Sequence, residues 1–303
     1  MKILLVVNSS ASSVTARGRV IIQKALSADH DVTLAETTRR GNATRLVRSA
    51  ATSGTDLVVV LGGDGTLNEA ANGLAGTECA LATLPGGSTN VFARTLGLPN
   101  DPVEAAAVVL EALERDAIRP IDLGSVNGRY FLFHTGVGFD AAVVRQVEKR
   151  AALKRYAGHP LFVWAAVTTW LRHYDRSKPR FTVHFPDGST VDDGYFTLVM
   201  STDPYTFLGN RPLHVTDEAG LDKPLAALTL KSLSLPTILG VAAAALGGGE
   251  VESNRRVDVR TGLESLRITS DTPFPYQVDG DYLGEVTELS FHNERSAVRL
   301  LVP

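Results

Sequence analysis

The N-terminal part of the chain repeats one pattern, a short apolar run followed by a longer segment with helical spacing. The apolar runs are Ile3–Val7, Val32–Ala35, Leu57–Leu61, Ala80–Leu84 and Ile118–Leu123, and the helical segments are Val14–Leu26, Ala43–Ala51, Leu67–Leu74 and Val103–Leu113. Strands that are apolar throughout and separated by helices are typical of a parallel sheet covered on both faces. The pattern therefore predicts an α/β layer structure, in which ligands favour the loops at the carboxyl ends of the strands.

The rest of the chain differs, because tight turns interrupt many short runs of alternating polarity. The turn pairs are Asn127-Gly128, Asp187-Gly188 and Asp279-Gly280, which are typical of hairpins. Strands are predicted at Phe181–Phe185, Tyr195–Met200, Ala227–Leu230, Val257–Arg260, Leu266–Thr269, Thr287–Phe291 and Ala297–Val302, and helices at about Phe139–Arg155, Leu161–Arg172 and Leu235–Leu246. This pattern indicates a mainly antiparallel β-sandwich with inserted helices.

Length and composition fit two domains. A chain of 303 residues, 44% of them apolar, can bury two cores. We expect an α/β domain over 1–123 and a β-sandwich domain over 124–292, and leave open whether the last strand, at about 293–303, returns to the first domain. The net charge of −3 argues against a general nucleic-acid binder. The single cysteine, Cys79, excludes an internal disulfide and is expected to be a small buried residue.

The hydrophobic segments are too short to span a membrane. The longest, Pro160–Leu171, falls below the roughly 20 residues that a spanning helix needs. The N-terminal run Ile3–Val7 is also too short for the core of a signal peptide. We therefore expect a cytoplasmic protein that meets a membrane only at its surface.

The third apolar run leads directly into Gly62-Gly63-Asp64-Gly65-Thr66-Leu67-Asn68-Glu69. Glycines let the backbone approach an anion closely, and the N-terminus of a following helix adds partial positive charge. The loop therefore predicts a polyphosphate site. Asp64 then either faces the phosphate across a magnesium ion or holds the loop by accepting N–H bonds. The loop is neither a Walker A motif nor a dinucleotide fingerprint, and a purely structural turn is less favoured because four polar side chains crowd it.

Two further loops follow neighbouring strands. The residues after Leu84 are Pro85-Gly86-Gly87-Ser88-Thr89-Asn90, and those after Val7 are Asn8-Ser9-Ser10-Ala11-Ser12-Ser13. Thr37, after the second strand, lies at the same edge. Since the carboxyl ends of parallel strands meet at one edge of a sheet, these loops should face one crevice and offer many donors to one ligand. The alternatives are a helix-capping turn for the first loop and an ordinary loop residue for Thr37.

These motifs closely resemble the diacylglycerol kinase catalytic-domain family, which includes bacterial soluble lipid kinases and is related to sphingosine and ceramide kinases. The most specific pieces are Gly62–Glu69, Pro85–Arg94, Ile121-Asp122-Leu123-Gly124, Gly136-Val137-Gly138-Phe139-Asp140 and Val278-Asp279-Gly280. The resemblance covers nearly the whole chain. It implies an ATP- and magnesium-dependent kinase with a nucleotide-binding α/β domain and a β-sandwich lipid-substrate domain, acting on a diacylglycerol-like lipid.

The resemblance also implies roles for individual residues. The nucleotide-binding set would be Asn8, Ser9, Ser10, Ala11, Ser12, Thr37, Gly62, Gly63, Asp64, Gly65, Thr66, Leu67, Asn68, Glu69, Gly87, Ser88 and Asn90. Asp64 and Asp122 would hold magnesium, Asp122 through water. Asp281 would accept the proton of the lipid hydroxyl. A hydroxyl has a pKa far above that of an aspartate, so this base would act late and mostly orient the nucleophile.

Three residues depart from the family's pattern. Val91 stands where the family usually has an aspartate, so one acidic member of the active-site network is missing. Asp281 stands where the base is usually a glutamate, so its carboxylate is one methylene closer to the backbone. Ala219 stands where some bacterial members have an aspartate of a structural magnesium loop, which argues against that second metal site.

A lipid substrate would require transient contact with an anionic membrane surface. Basic residues cluster at Arg145, Lys149, Arg150, Lys154 and Arg155, and the apolar run Leu161-Phe162-Val163-Trp164 follows. This composition is typical of a segment that docks on anionic lipid, and a solvated helix face followed by a core helix is an equal alternative. We expect peripheral association with the inner face of the membrane, and leave a homodimer open.

Two other functions remain open at this point. An NAD kinase, which acts on a soluble substrate, shares mainly the first glycine loop with this chain. A catalytically impaired, nucleotide-binding regulatory protein would account for Val91 and Asp281. It would leave the other acidic and glycine residues without a purpose, because simple binding does not need them.

Overall fold

A computed structural model describes residues 1–150, 158–247 and 249–303. The chain divides into a first unit, Met1–Leu123 with Arg295–Pro303, and a second unit, Gly124–Glu294. Parallel strands alternate with helices in the N-terminal part, and antiparallel strands dominate the C-terminal part. The fold class predicted from the sequence is therefore confirmed.

The first unit alternates strands and helices along the chain. Its strands are β1 (Lys2–Val7), β2 (Asp31–Glu36), β3 (Leu57–Gly62), β4 (Ala80–Pro85) and the start of β5 (Ile118–Val126). Its helices are α1 (Ala16–Leu26), α2 (Asn42–Thr52), α3 (Asp64–Leu74), α4 (Val91–Thr95) and α5 (Pro102–Glu114). Two of these helices have a side-chain N-cap, which is Thr15 for α1 and Asp101 for α5.

The strands of the first unit lie side by side in the order β4, β3, β1, β2, and all are parallel. The end of the last strand, β16 (Asp281–Leu301), runs parallel to β4, and Leu300 pairs with Leu81. Every residue of β3 and β4 is buried. The carboxyl ends of β1, β3 and β4 therefore meet at one edge of the sheet, where the polar loops begin.

The second unit is mostly antiparallel. After β5 its strands are β6 (Arg129–Phe131), β7 (His134–Gly138), β8 (Phe181–His184), β9 (Thr190–Gly194), β10 (Phe196–Met200), β11 (Thr206–Leu208), β12 (Arg211–Leu213), β13 (Leu225–Leu230), β14 (Val257–Leu263), β15 (Ser265–Val278) and β16. Its helices are α6 (Phe139–Glu148), α7 (Gly158–Thr168) and α8 (Leu235–Gly247). A π-helical turn, Thr169–His173, continues α7, and a 3₁₀ turn, Val251–Ser253, follows α8.

Six strands of the second unit form a continuous path in the order β14, β13, β10, β7, β15, β16, and β8 pairs with β15 and β9. One hydrophobic cluster gathers around Phe131, Phe274 and Phe291. A second cluster, around Phe139 and Leu228, receives side chains from α7 and α8. The two helices are therefore attached to the unit through the same core.

The structure differs from the sequence-based prediction at several boundaries. Helix α3 begins at Asp64, not at Leu67, because Gly63 is extended and the glycine motif itself forms the first turn. The predicted strands 287–291 and 297–302 are parts of one strand, β16, because the polar residues between them stay extended. The prediction also lacks α4 and the short strands β6, β7, β9, β11 and β12. Residues 151–155 of one predicted helix lie outside the described residues.

Two further expectations concern burial and the membrane. Cys79 is buried, as expected, and burial raises the pKa of its thiol to about 11, with a smaller contribution from Asp56. Among the described helices, none is long and apolar enough to cross a membrane.

Candidate active site

Three loops of the first unit, at the carboxyl ends of β1, β3 and β4, are joined by backbone hydrogen bonds. The Asn8 N–H donates to the Leu61 carbonyl at 3.0 Å, and the Gly86 N–H donates to the Gly62 carbonyl at 2.8 Å. The Ser13 N–H donates to the Gly86 carbonyl at 2.9 Å. Because these bonds join main-chain atoms, they hold the loops together whatever their side chains do.

The close approach of two loops requires glycine. A Cβ atom on Gly86 would lie 2.8 Å from the Gly62 Cα atom, and one on Gly87 would lie 2.9 Å from the Gly63 Cα atom. No side-chain rotation can relieve such contacts, because the neighbouring atoms belong to the backbone. We call these four residues the glycine floor. Glycine at these positions allows the loop after β3 and the loop after β4 to lie directly against each other.

The glycine floor leads into the N-terminus of α3. Gly63 is the N-cap residue of α3, and because glycine has no side chain it cannot cap the first N–H groups of the helix. Such groups lack partners within a helix and carry the positive end of its dipole. Thr66, in the first turn, accepts a hydrogen bond from Asn8 Nδ2 at 3.0 Å, which ties the β1 loop to the helix start. A phosphate group is the kind of ligand that this arrangement favours.

Asp64 holds a neighbouring helix. Its Oδ2 atom accepts the Val91 N–H at 3.0 Å, and its Oδ1 atom accepts the Phe92 N–H at 3.2 Å. These residues begin α4, so the carboxylate lies at the positive end of that helix. The contacts match the loop-holding alternative for Asp64. Val91 is buried and takes part through its backbone alone.

Asn90 and Glu69, two further side chains of the predicted nucleotide-binding set, also contact the protein itself. Asn90 has a left-handed backbone, and its side chain accepts from the Gly87 N–H at 2.7 Å and donates to the Gly87 carbonyl at 3.0 Å. The Glu69 carboxylate accepts the Gly41 N–H at 2.7 Å and the Ala43 N–H at 3.1 Å, at the start of α2. Both side chains therefore fix the shape of a loop.

The other predicted nucleotide-binding residues differ in exposure. Ser9, Ser10, Ser12 and Ser88 are exposed; Ala11, Thr37 and Gly65 are half-buried; and Leu67 and Asn68 are buried within α3. The Thr37 N–H donates to the Val7 carbonyl at 2.9 Å, which keeps the end of β2 beside that of β1. The four exposed serines lie in the loops that follow β1 and β4.

The predicted magnesium ligands are oxygen donors, the type that magnesium prefers. Asp122, in β5, is half-buried, and its Oδ1 atom accepts the Ser296 N–H at 2.9 Å. Within 1–150, 158–247 and 249–303, no three His, Cys, Asp or Glu side chains form a group that could hold a metal. Magnesium usually keeps several waters and binds one or two carboxylates plus substrate phosphates. The assignment of Asp64 and Asp122 as magnesium ligands stays a prediction.

The second unit carries Asp281 directly after a two-residue hairpin. Val278 pairs with Asp281, and Asp279 and Gly280 both have positive φ angles of 47° and 82°, as a tight hairpin turn with the right twist requires. The buried Asp279 carboxylate accepts three backbone N–H groups, from Leu132 at 2.8 Å and from Phe133 and His134 at 3.1 Å each. This carboxylate fastens the turn to the loop before β7.

Helix α6 supports the same turn at two points. The Gln277 side chain accepts the Gly280 N–H at 2.7 Å and donates to Asp140 Oδ2 at 2.8 Å. Glu148, the last residue of α6, accepts the Tyr282 N–H at 3.1 Å. The backbone is therefore fixed on both sides of Asp281, whose own carboxylate is half-buried.

The supporting groups are buried and their pKa values reflect this. Burial raises the pKa of Asp140 above its ordinary value of 3.8, against the lowering effect of its bonds from Tyr205 and Gln277. The Tyr205 hydroxyl donates to Asp140 Oδ1 at 2.6 Å, and burial raises the tyrosine pKa well above its usual range. Burial lowers the pKa of His134 to about 3, so this imidazole is neutral at neutral pH. There is no room beside Asp140 for a Cβ atom on Gly136.

The sequence pattern does not single out Gln277, Glu148 or Tyr205, and it places Asp140 in a motif without giving it a role. Buried carboxylates are rare unless they are paired. An aspartate inside an apolar segment, such as Asp140 in α6, is therefore the sequence signal for such a network. Its partners come from distant positions and carry no comparable signal.

The comparisons with known proteins were consistent with one another. The family model described as the diacylglycerol kinase catalytic domain matches residues 2–126. A "Diacylglycerol kinase" of Bacillus subtilis (strain 168) is 40% identical over 120 residues, which cover 39% of each chain. A "Probable lipid kinase YegS-like" of Pseudomonas aeruginosa (strain UCBPP-PA14) is 31% identical over 309 residues, covering 100% of this chain and 94% of that protein.

The fold also matches a solved structure. A crystal structure of a diacylglycerol kinase from Bacillus anthracis str. Sterne aligns with a TM-score of 0.73 and 22% identity, covering 100% of this chain and 97% of the other. At this identity the likeness concerns the fold alone.

Proposed function

Since this chain belongs to the diacylglycerol kinase family of lipid kinases, we propose that it transfers the γ-phosphate of ATP to the hydroxyl of a diacylglycerol-like lipid. The product would be phosphatidic acid or an analogous lipid phosphate.

The observation that carries the proposal is the glycine floor at the N-terminus of α3. Phosphoryl transfer depends mainly on alignment and on charge neutralisation, since the transferring group passes through a loose transition state. The N-terminus of α3, which the packed glycine loops hold in place, would supply both. We place the β- and γ-phosphates of ATP beside the glycine floor. The exposed serines would contact the nucleotide from the surrounding loops.

Asp64 and Asp122 are the residues that would hold magnesium. The ion would offset the negative charge that develops on the transferring group. Asp64 also keeps α4 in place through Val91 and Phe92, so it would link the metal to the shape of the β4 loop.

Asp281 is the residue that we assign to accept the proton of the lipid hydroxyl. The assignment is supported by its position after the Asp279-Gly280 turn, where the family has its base, and by the fixed backbone around it. An aspartate is a weak base towards an alcohol, so its main contribution would be to orient the hydroxyl until the bond to phosphorus is well advanced.

A lipid acceptor would be reached at an anionic membrane surface. Of the basic cluster predicted from the sequence, Arg145 pairs with Glu285 at 3.0 Å, and the Arg150 guanidinium lies 4.2 Å from the Trp164 ring centroid. Lys154 and Arg155 lie outside the described residues. The cluster is therefore partly engaged with the protein itself.

The test is a kinase assay with ATP and magnesium on a panel of acceptors. The panel contains diacylglycerol, monoacylglycerol, a sphingoid base and ceramide in mixed vesicles, together with NAD in solution, and products are identified by mass. We expect a phosphorylated lipid and unchanged NAD. Phosphorylation of NAD alone would show that the protein is an NAD kinase. Nucleotide binding without any phosphorylated product would show that it is a catalytically impaired regulatory protein.

A further inference from the structure

One face of α7 and of the turn that follows it is apolar and exposed. Val163, Trp164, Val167 and Leu171 occupy it, and more than half of Leu171 is accessible, at 58%. Their spacing of one, four and eight residues places them on a single side of a helix. The opposite side, with Leu161 and Ala165, is buried in the core of the second unit.

Helix α8 repeats this arrangement. Its 13 residues include no charged side chain, and Leu235, Leu239 and Leu246 are exposed, Leu239 at 59%. Ile238 and Val241 face the same core cluster as α7. A helix that is apolar on all sides is ordinarily buried. A large apolar face left at the surface therefore marks an interaction site.

A hydrogen bond joins the turn after α7 to the segment that leads into α8. The Trp170 indole N–H donates to the Leu233 carbonyl at 2.7 Å. Leu171 follows the donor directly, and Leu235 lies two residues beyond the acceptor. This bond holds the C-terminal end of the α7 segment against the chain that begins α8.

Cationic side chains border this junction. The Arg176 guanidinium lies 3.8 Å from the Trp170 ring centroid, and Arg256 donates to Ser234 Oγ at 3.1 Å, one residue before α8. Arg150 stacks on Trp164 at the other end of α7. Tryptophan and arginine beside exposed leucines are the composition of the boundary between acyl chains and headgroups. A basic side chain near an anionic bilayer strengthens binding by about fivefold.

We propose that these two faces form one surface that lies on an anionic phospholipid bilayer. We call it the apolar rim and define it as Val163, Trp164, Val167, Leu171, Leu235, Leu239 and Leu246. The leucines and valines would enter the acyl region while the bordering arginines contact lipid phosphates. This inference rests on the proposed function, because a lipid acceptor brings the protein to a bilayer, and it identifies the residues that touch the bilayer.

The choice of a bilayer over a protein partner rests on charge and chemistry. A second copy of the chain would bring the same arginines face to face, whereas phospholipid phosphates would neutralise them. An interfacial helix needs only its outer face in the acyl region, at a depth of about 5–10 Å. The exposed faces of two apolar helices that share a core meet this requirement.

The test measures binding of the full chain to vesicles by sedimentation. The vesicles are phosphatidylcholine alone or equal parts of phosphatidylcholine and phosphatidylglycerol. We expect the wild type to bind the anionic vesicles, and the double variant Leu171→Ser, Leu239→Ser to bind at least about tenfold more weakly, because two leucine side chains leave the acyl region. The matched control is Val20→Ser, Ile21→Ser, which changes two comparably exposed residues of α1 and should bind like the wild type.

Three results would overturn the proposal. They are a wild type that binds no anionic vesicles, a rim variant that binds as well as the wild type, and a rim variant that changes a dimer into a monomer in gel filtration. Turnover on a short-chain lipid alcohol dispersed in detergent separates this question from the proposed function. The rim variant should keep that turnover. A wild type without this turnover would contradict the kinase assignment, and vesicle binding would then still test whether the apolar rim contacts a bilayer.

Discussion

The glycine floor of the first unit and the Asp281 turn of the second unit are both rigid, but they are built differently. The floor is held by main-chain bonds between glycines, with no space for a Cβ atom on Gly86. The turn is held by buried carboxylates, with Asp279 accepting three N–H groups and Asp140 acting through Gln277. The glycine floor should therefore be sensitive to substitutions that add a side chain. The Asp281 turn should be sensitive to substitutions that remove a carboxylate.

The largest effect is expected for Gly86→Ala. The added methyl group would lie 2.8 Å from both the Gly62 Cα atom and a methyl carbon of Val14, so the β4 loop has to move. Displacement of a positioned phosphate by about 1 Å can cost about 100-fold in rate. We expect kcat/KM for ATP to fall by that amount in steady-state assays. The control is Gly220→Ala, whose Cβ atom would have no neighbour closer than 3.7 Å. An unchanged kcat/KM for ATP in a folded Gly86→Ala protein would contradict the role assigned to the glycine floor.

The second prediction concerns Asp279→Asn. The amide keeps one acceptor oxygen and turns an NH₂ group towards a backbone N–H, so a buried donor loses its partner. We expect the free energy of unfolding to fall by about 3 kcal/mol in urea titrations. Asp187→Asn is the matched control, because Asp187 also precedes a glycine in a turn but is exposed. Its substitution should leave the free energy of unfolding nearly unchanged, and equal losses in both variants would contradict the role of burial.

The third prediction concerns Asp140→Asn, which alters the support of the turn without touching Asp281. We expect kcat to fall about tenfold through misalignment, while the Kd for ATP stays the same. A purely structural role would instead lower the amount of folded protein and spare the kcat of what remains. Equilibrium binding of a fluorescent ATP analogue and turnover of the folded fraction distinguish the two.

The pKa of Asp140 gives this variant a second readout. Because burial raises that pKa above 3.8, Asp140 keeps its proton to a higher pH in the folded protein than in the unfolded chain. The associated stability is fully present below pH 3.8 and is lost as the pH rises through the folded-state pKa. The variant should therefore show a shallower fall in unfolding free energy over this rise in pH than the wild type. Parallel pH profiles for both proteins would contradict the shift.

The smallest effect is expected for Asp64→Asn. Two N–H groups of α4 bind different oxygens of Asp64, and asparagine can accept only one of them, so the free energy of unfolding should fall by about 1 kcal/mol without magnesium. Asp101→Asn is the control, because both N–H groups at the start of α5 bind the same oxygen. A loss that appears only when magnesium and ATP are present would instead indicate that Asp64 acts as a metal ligand alone.

The same contrast explains what can be predicted from the sequence. Apolar strands, glycines and the Asp279-Gly280 turn leave local signals, so the parallel sheet, the meeting of the three loops and the hairpin before Asp281 are predictable. The partners of Asp140 are not, because Tyr205 and Gln277 are 65 and 137 residues away. Glu69 and Asn90 show a second limit. Their place in the motif indicates the site, but only tertiary contacts reveal that their side chains bind Gly41, Ala43 and Gly87.

The central proposal is that the first unit holds ATP and that Asp281 of the second unit orients the lipid hydroxyl for the transfer. The most direct measurement compares Asp281→Asn with the wild type for both the Kd of ATP and kcat on a lipid alcohol. The account predicts an unchanged Kd and a kcat lowered by about 100-fold or more, the usual range for loss of a general base. Asp281→Glu, which restores a carboxylate, should recover most of the turnover. A kcat that survives in Asp281→Asn, or a Kd that rises as much as kcat falls, would contradict the claim.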